Sequence, residues 1–493
     1  MVPIENSTER MSPMDVQHQP NPGHTRRGFL TAAGGVTAGV AAGAAFGGSP
    51  ATSPAHAAAG RPSRILIKGG CVVSMDPDIG VLPSGDVLIK DGAIIAVGKN
   101  LSAHSAEKID ARGMIVTPGF VDSHGHYTEI LASGLSADGT PESHRNQVIG
   151  RLPGQLDPDA VYQATLAAVL GSLNAGCTTV VDADIMSATL DEAKAAVRAL
   201  AATNVRALYA YSTPQSFQND PNSPPSLDDL RVIAEYIRRH SPEGLMGPHV
   251  GIVNPNNRPP EVLDKTIKVY RLAREELGAS ISVHAGLGPS INTPYLLADA
   301  DILDYVMFAA GSAFGLAEME LIKAHNGRVI TTTKAEMQVK SPPPVMHALA
   351  VGLPVIVAGD SRAFDAPSLT TQVSALLRYL RSLGVDSQTS ADGLAYITTN
   401  PAEALGMSRR IGSLTPGKRG DVVLLRMADH PDTMAISDPY VGVIHMSTSE
   451  HVDTVIVDGK ILKRDGRLVG HNMRKIARDL RATQRRLGLN PLF

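Results

Sequence analysis

In the segment GFVDSHGHYTE, residues 119–129, His124 and His126 stand one residue apart. Side chains two positions apart on an extended strand project from one face, so the two imidazoles can share a metal ion. With 16 histidines in 493 residues, one such pair is about what chance supplies, and it carries weight only in company. That company is His284 in ISVHAG and Asp360 in VIVAGD, each closing an apolar, β-branched run. Three imidazoles and a carboxylate suit one divalent ion, zinc first and iron or manganese as alternatives, with a position left for water. Such an ion lowers the pKa of bound water to about 7, and Asp360 is the expected base for the water's proton.

Further polar residues fall near the ends of similar runs. Asn254, Lys334 and Glu336 are the expected substrate contacts, whereas Glu129, Asp182, Asp184 and Arg362 read as loop or solvated groups. His325, in KAHNG, falls inside a helical pattern and is not expected at the site.

Eight strand-like runs alternate with amphipathic helices between about 115 and 406: MIVTPGFVD, CTTVVDA, VRALYAYS, PHVGIVN, SISVHAG, YVMFAAG, RVITTT and PVIVAGD. That alternation calls for an α/β fold, a parallel (β/α)8 TIM barrel, whose working residues lie at the C-terminal ends of the strands. A single strand-end histidine is more often structural than a ligand. Four ligand-type residues at matching ends outweigh that reading. Asp157-Pro158 predicts a helix start and Gly176 its stop; Ser226 and Asp229 resemble a capping box. Short strands with Asp-Gly turns at 91–92 and 458–459 occupy both ends of the chain, predicting one small β-sandwich from segments 58–114 and 407–470. Ile476, Leu480 and Leu487 share a face of a basic C-terminal helix in 471–493, expected to pack on the barrel.

Residues 1–57 have another texture. Arg26 and Arg27 precede the Ala/Gly-rich run TAAGGVTAGVAAGAAFGG, which closes in Ala55-His56-Ala57. This is the pattern of a twin-arginine export signal, removed to leave a chain from about Ala58 and placing the protein in the cell envelope or outside the cell. The run is too weakly apolar for a stable membrane anchor. The expected partners are the export machinery and a small-molecule substrate. A net charge of −3 and pI near 6.6 give no reason to expect nucleic acid. Cys71 and Cys177 allow at most one disulfide.

The ordered motifs IVTPGFVDSHGH, AGCTTVVDAD, SVHAG, VIVAGD, TTNPAEALGM, RIGSLTPGKRGDVVLL and VDTVIVDGK resemble the amidohydrolase superfamily, in its cytosine-deaminase and triazine-hydrolase-like branch, over roughly 65–469. The resemblance implies the barrel with its two-part β-sandwich and makes His124, His126, His284 and Asp360 the ligands of a mononuclear metal. Barrels of this kind commonly form homo-oligomers. Two positions depart from the pattern. The glutamate three residues after the strand-five histidine is Leu287 here, and the strand-six histidine is replaced by Ala309 or Ala310. The expected function is hydrolysis of a non-peptide C–N bond, as in a cyclic amide, with ordinary cytosine or adenine deamination disfavoured by the missing acid. The alternatives are a metal-dependent lyase, dehydratase or cyclase, and a binding protein that has lost catalysis.

Overall fold

The structure, a computed structural model, describes residues 64–211, 226–253, 260–285, 289–339 and 341–492. The twin-arginine segment, Asn254 and Leu287 lie outside these residues.

Eight parallel strands in sequence order build the barrel: Phe120–His126, Cys177–Asp184, Arg206–Tyr211, Met246–Val253, Ser280–Ala285, Met307–Ala310, Arg328–Thr331 and a final strand in two pieces, Val355–Val357 and Asp360–Ser361. The first piece pairs with strand seven, Ile330 opposite Ile356. The second pairs with strand one, Asp360 opposite Gly125, so strand eight closes the barrel. Val121, Val181, Leu208, Met307, Ile330 and Ile356 fill its interior, joined by Ala402, Leu405 and Ile411. Filling the interior with branched apolar side chains makes it a core and confines chemistry to the rim.

The helices begin and end where their punctuation placed them. Asp157 caps Pro158–Asn174 by accepting from the Ala160 N–H at 2.8 Å. Gly176, beyond its end, has φ 97°, a conformation that disfavours a side chain. Ser226 caps Leu227–His240 through the Asp229 N–H. The C-terminal helix, Met473–Arg486, packs against Pro158–Asn174, and Arg486 pairs with Asp157 at 3.1 Å. Among the described residues no helix is long and apolar enough to cross a membrane.

The expected first strand, MIVTPGFVD, is two strands. Met114–Pro118 belongs to the second sheet, antiparallel to Val422–Arg426, and only Phe120–His126 enters the barrel. The second sheet therefore reaches past the expected boundary at 114. It is one nine-stranded sheet from both chain ends, with a core of its own that includes Ile65, Val87, Ile94, Val116 and Leu424. Cys71 and Cys177 are both free thiols. The disulfide that two cysteines allowed does not form.

Candidate metal centre

His124 and His126 end strand one, His284 lies in strand five and Asp360 in strand eight, all at the C-terminal rim. Nε2 of His284 is 3.2 Å from Nε2 of His124 and 3.4 Å from Nε2 of His126. Oδ1 of Asp360 lies 3.7 and 3.6 Å from the same two nitrogens. One ligand atom from each of the four falls within 4.8 Å of the others.

The donor set can be tested against an ion. Zinc–nitrogen bonds of about 2.05 Å in a tetrahedron set neighbouring nitrogens about 3.3 Å apart, which matches the histidine spacings. Nδ1 of His126 lies 2.7 Å from the Ala183 carbonyl oxygen, an atom that only accepts. Nδ1 must then carry the proton, leaving the Nε2 lone pair for the cluster. Burial, reinforced by His126 and His284, holds His124 well below the usual imidazole range. Burial also brings His284 down to about 4. With His124 and His284 kept from protonation by burial, and Nε2 of all three imidazoles turned to one point, the residues fit a divalent ion.

Asp360 has φ 58°, in the left-handed region. Its neighbours are tied to strand one through the buried Asp122. Oδ1 of Asp122 accepts from the Gly359 N–H at 2.8 Å. Its Oδ2 accepts from Arg362 at 3.0 Å and from the Tyr127 hydroxyl at 2.8 Å. A Cβ on residue 359 would come 2.8 Å from that Oδ2, so any side chain there would have to displace Asp122. Arg362 also donates to Ser172 and stacks over Tyr127. It is a buried brace for the Asp360 turn, where the sequence suggested a solvated group.

The remaining candidates divide. Glu336 is buried beyond strand seven and accepts from the Thr331 hydroxyl at 2.5 Å. Burial first, and the charge of Asp360 last, push its carboxyl well above the usual range. Lys334 is drawn into an ion pair with Asp365 at 2.6 Å and a bond to Thr371. Asp184 accepts from the Tyr209 hydroxyl and the Met186 and Ser187 N–H groups, a turn-forming role. Asp182 is buried, and burial with the charge of Asp184 pushes its carboxyl up. Glu129 is also buried, against the expectation of a solvated loop residue. His325 follows the helix Leu316–Ala324 and pairs with Asp304 at 2.8 Å, away from the cluster. Strand six ends in Ala309 and Ala310, so no imidazole stands there.

Asp122 and the surroundings of Glu129 were missed by sequence reasoning. Their partners, Gly359, Arg362 and Ser361, lie 232 to 240 residues away, and no local pattern marks the pairing.

Residues 115–462 match the amidohydrolase family. The chain belongs to this family. A 5'-deoxyadenosine deaminase of Methanosarcina mazei is 26% identical over 433 residues, covering 84% of this chain and 95% of that protein. A 5-methylthioadenosine/S-adenosylhomocysteine deaminase of Pyrococcus furiosus is 24% identical, covering 84% and 98%. Among solved structures, the zinc complex of atrazine chlorohydrolase TrzN from Arthrobacter aurescens superposes with a TM-score of 0.75 at 21% identity, covering 85% of this chain and all of that one. A zinc-bound adenosine deaminase from Xanthomonas campestris gives 0.74 at 19%, covering 86% and 98%. As an amidohydrolase, the protein is a metal-dependent hydrolase, and His124, His126, His284 and Asp360 form a cluster that could hold its divalent metal. The sequence relatives are named as deaminases, so they lend no support to the expectation that deamination is disfavoured.

Proposed function

We propose that this amidohydrolase uses one zinc ion to hydrolyse a non-peptide C–N bond in a small molecule, either an amino-substituted heteroaromatic ring or a cyclic amide. The observation that carries the reading is the convergence of three imidazoles and Asp360 within 4.8 Å at the barrel rim. When bound, the metal would supply an activated water and polarise the carbon under attack. The chain supplies the rest. Asp360, held in place by Asp122 through Gly359 and Arg362, accepts the proton that water loses as its oxygen bonds to carbon. The closed barrel fixes the four donors on three of its strands, so they need no reorganisation during the reaction. Arg26 and Arg27 ahead of the Ala/Gly-rich run support export of the enzyme by the twin-arginine route.

The test uses the chain from about Ala58, loaded with zinc and assayed for ammonia or amine release. The substrates are 5'-deoxyadenosine, 5-methylthioadenosine, an amino-triazine and a set of cyclic amides. Elemental analysis should find about one metal per chain, and His284→Ala and Asp360→Ala should lose both metal and turnover. A protein that takes up no divalent metal, or variants that keep full metal and activity, would sink the reading.

A further inference from the structure

Hydrolysis at such a carbon needs a group that gives a proton to the departing nitrogen. Leu287, Ala309 and Ala310 have side chains with no dissociable proton. Another carboxyl stands at the same rim. Glu129 follows His126 by three residues, in the turn Tyr127–Ala132 that leaves strand one, and is fully buried. Its Oε2 accepts from the hydroxyl of Ser361, the residue next to Asp360 and the register partner of His126. Its Oε1 is buried and meets no hydrogen-bond partner, which in a low-dielectric site is costly unless a ligand or a proton occupies it.

An imidazole stands behind this carboxyl. Nε2 of His144 is 3.9 Å from Oε2 of Glu129, and its Nδ1 is 3.0 Å from the Ser136 hydroxyl. The ring lies 4.5 Å from Phe364, and 11% of the side chain reaches solvent. A sequence of polar groups thus runs from the neighbour of a metal ligand to the surface. Among the described residues no imidazole pairs with Glu336, which accepts from the Thr331 hydroxyl and the Thr332 backbone.

We propose that Glu129 and His144 are the proton-transfer pair of this site, Glu129 giving a proton to the leaving nitrogen and His144 restoring it from solvent. This rests on the hydrolase reading. In the step, water's oxygen bonds to carbon while one of its protons passes to Asp360. The Glu129 proton goes to nitrogen as the C–N bond breaks and its electron pair stays on nitrogen. His144 then reprotonates Glu129, and Asp360 releases its proton to solvent, so the net reaction consumes one water. Burial pushes the Glu129 carboxyl up, which keeps a proton available for transfer.

Glu129→Gln keeps an acceptor for Ser361 and removes only the proton. With zinc content and Tm unchanged, kcat for amine-releasing substrates should fall about 100-fold or more. Substrates that release a weakly basic group, such as chloride or an aryloxide, should lose far less. His144→Phe should fall about tenfold, and imidazole added to the buffer should restore it. Three results would overturn the assignment: Glu129→Gln within twofold of the parent, or losing zinc; an equal loss for every leaving group; or His144→Phe with no loss or no rescue. If the zinc-loaded parent hydrolyses no C–N substrate, the hydrolase reading fails and this pair with it. A working parent with an unaffected Glu129→Gln sinks the pair alone.

Discussion

At the scale of single residues, this site is a study in carboxyls kept from water. Asp360, Glu129, Asp182 and Glu336 crowd one rim, and burial heads the causes that push the last three above the usual carboxylate range. Glu336 turns that burial into a measurable pH dependence. The folded chain keeps this proton while the unfolded chain loses it near the ordinary value of 4.5. The folded state therefore binds more protons above that value, and its stability falls as pH rises through the window. Each pH unit inside the window costs about 1.4 kcal/mol. Glu336→Gln removes this pH dependence. Urea unfolding of the metal-free proteins should show the variant gaining on the parent as pH rises above 4.5, whereas a difference that does not change with pH would mean that Glu336 is ionised in the fold.

At the scale of elements, the broken eighth strand decides how the barrel closes. Its first piece pairs with strand seven and its second with strand one, with Asp360 at the start of the second piece. The break is held by Asp122, which takes the Gly359 N–H and the Arg362 guanidinium. Asp122→Asn would leave the buried Arg362 without its counter-charge, at a cost of about 3–5 kcal/mol. The variant should unfold at markedly lower denaturant and release zinc faster to a chelator. Parent-like zinc release would show that Asp360 is positioned without this brace. The strand and helix order were legible because periodicity and capping are local. The break in strand eight was not, since a run such as VIVAGD carries no mark of which neighbour each half will meet.

On the scale of the whole molecule, the barrel and the sheet from the chain ends are locked by one buried ion cluster. Arg206, the first residue of strand three, is 1% exposed and pairs with Asp421 at 3.1 Å and Asp458 at 3.5 Å. Asp421 also accepts from the Asp458 N–H at 2.7 Å. Burial works against the charge on Arg206, but its two carboxylates hold the guanidinium above its usual value. Arg206→Met would leave the buried Asp421 without its cation while Asp458 keeps Arg419, and the expected loss is about 3–5 kcal/mol. Thermal unfolding of the variant should fall well below the parent, or split if the terminal sheet melts before the barrel. A Tm within a degree of the parent would show that the two sheets hold together without this cluster.

From the sequence alone came the alternation of strands and helices, the helix caps, the two-ended sheet and the four ligand types at strand ends. All of these rest on contacts within a few residues or on a fold rule that applies to every such barrel. Tertiary structure alone decided that Met114–Pro118 leaves the barrel, that Arg362 braces while Lys334 is drawn to Asp365, and that Glu129 is buried beside His144 and Ser361. The physical reason is range. A carboxylate's role depends on whether water or a partner reaches it, and here the partners that exclude water arrive from strands far apart in the chain.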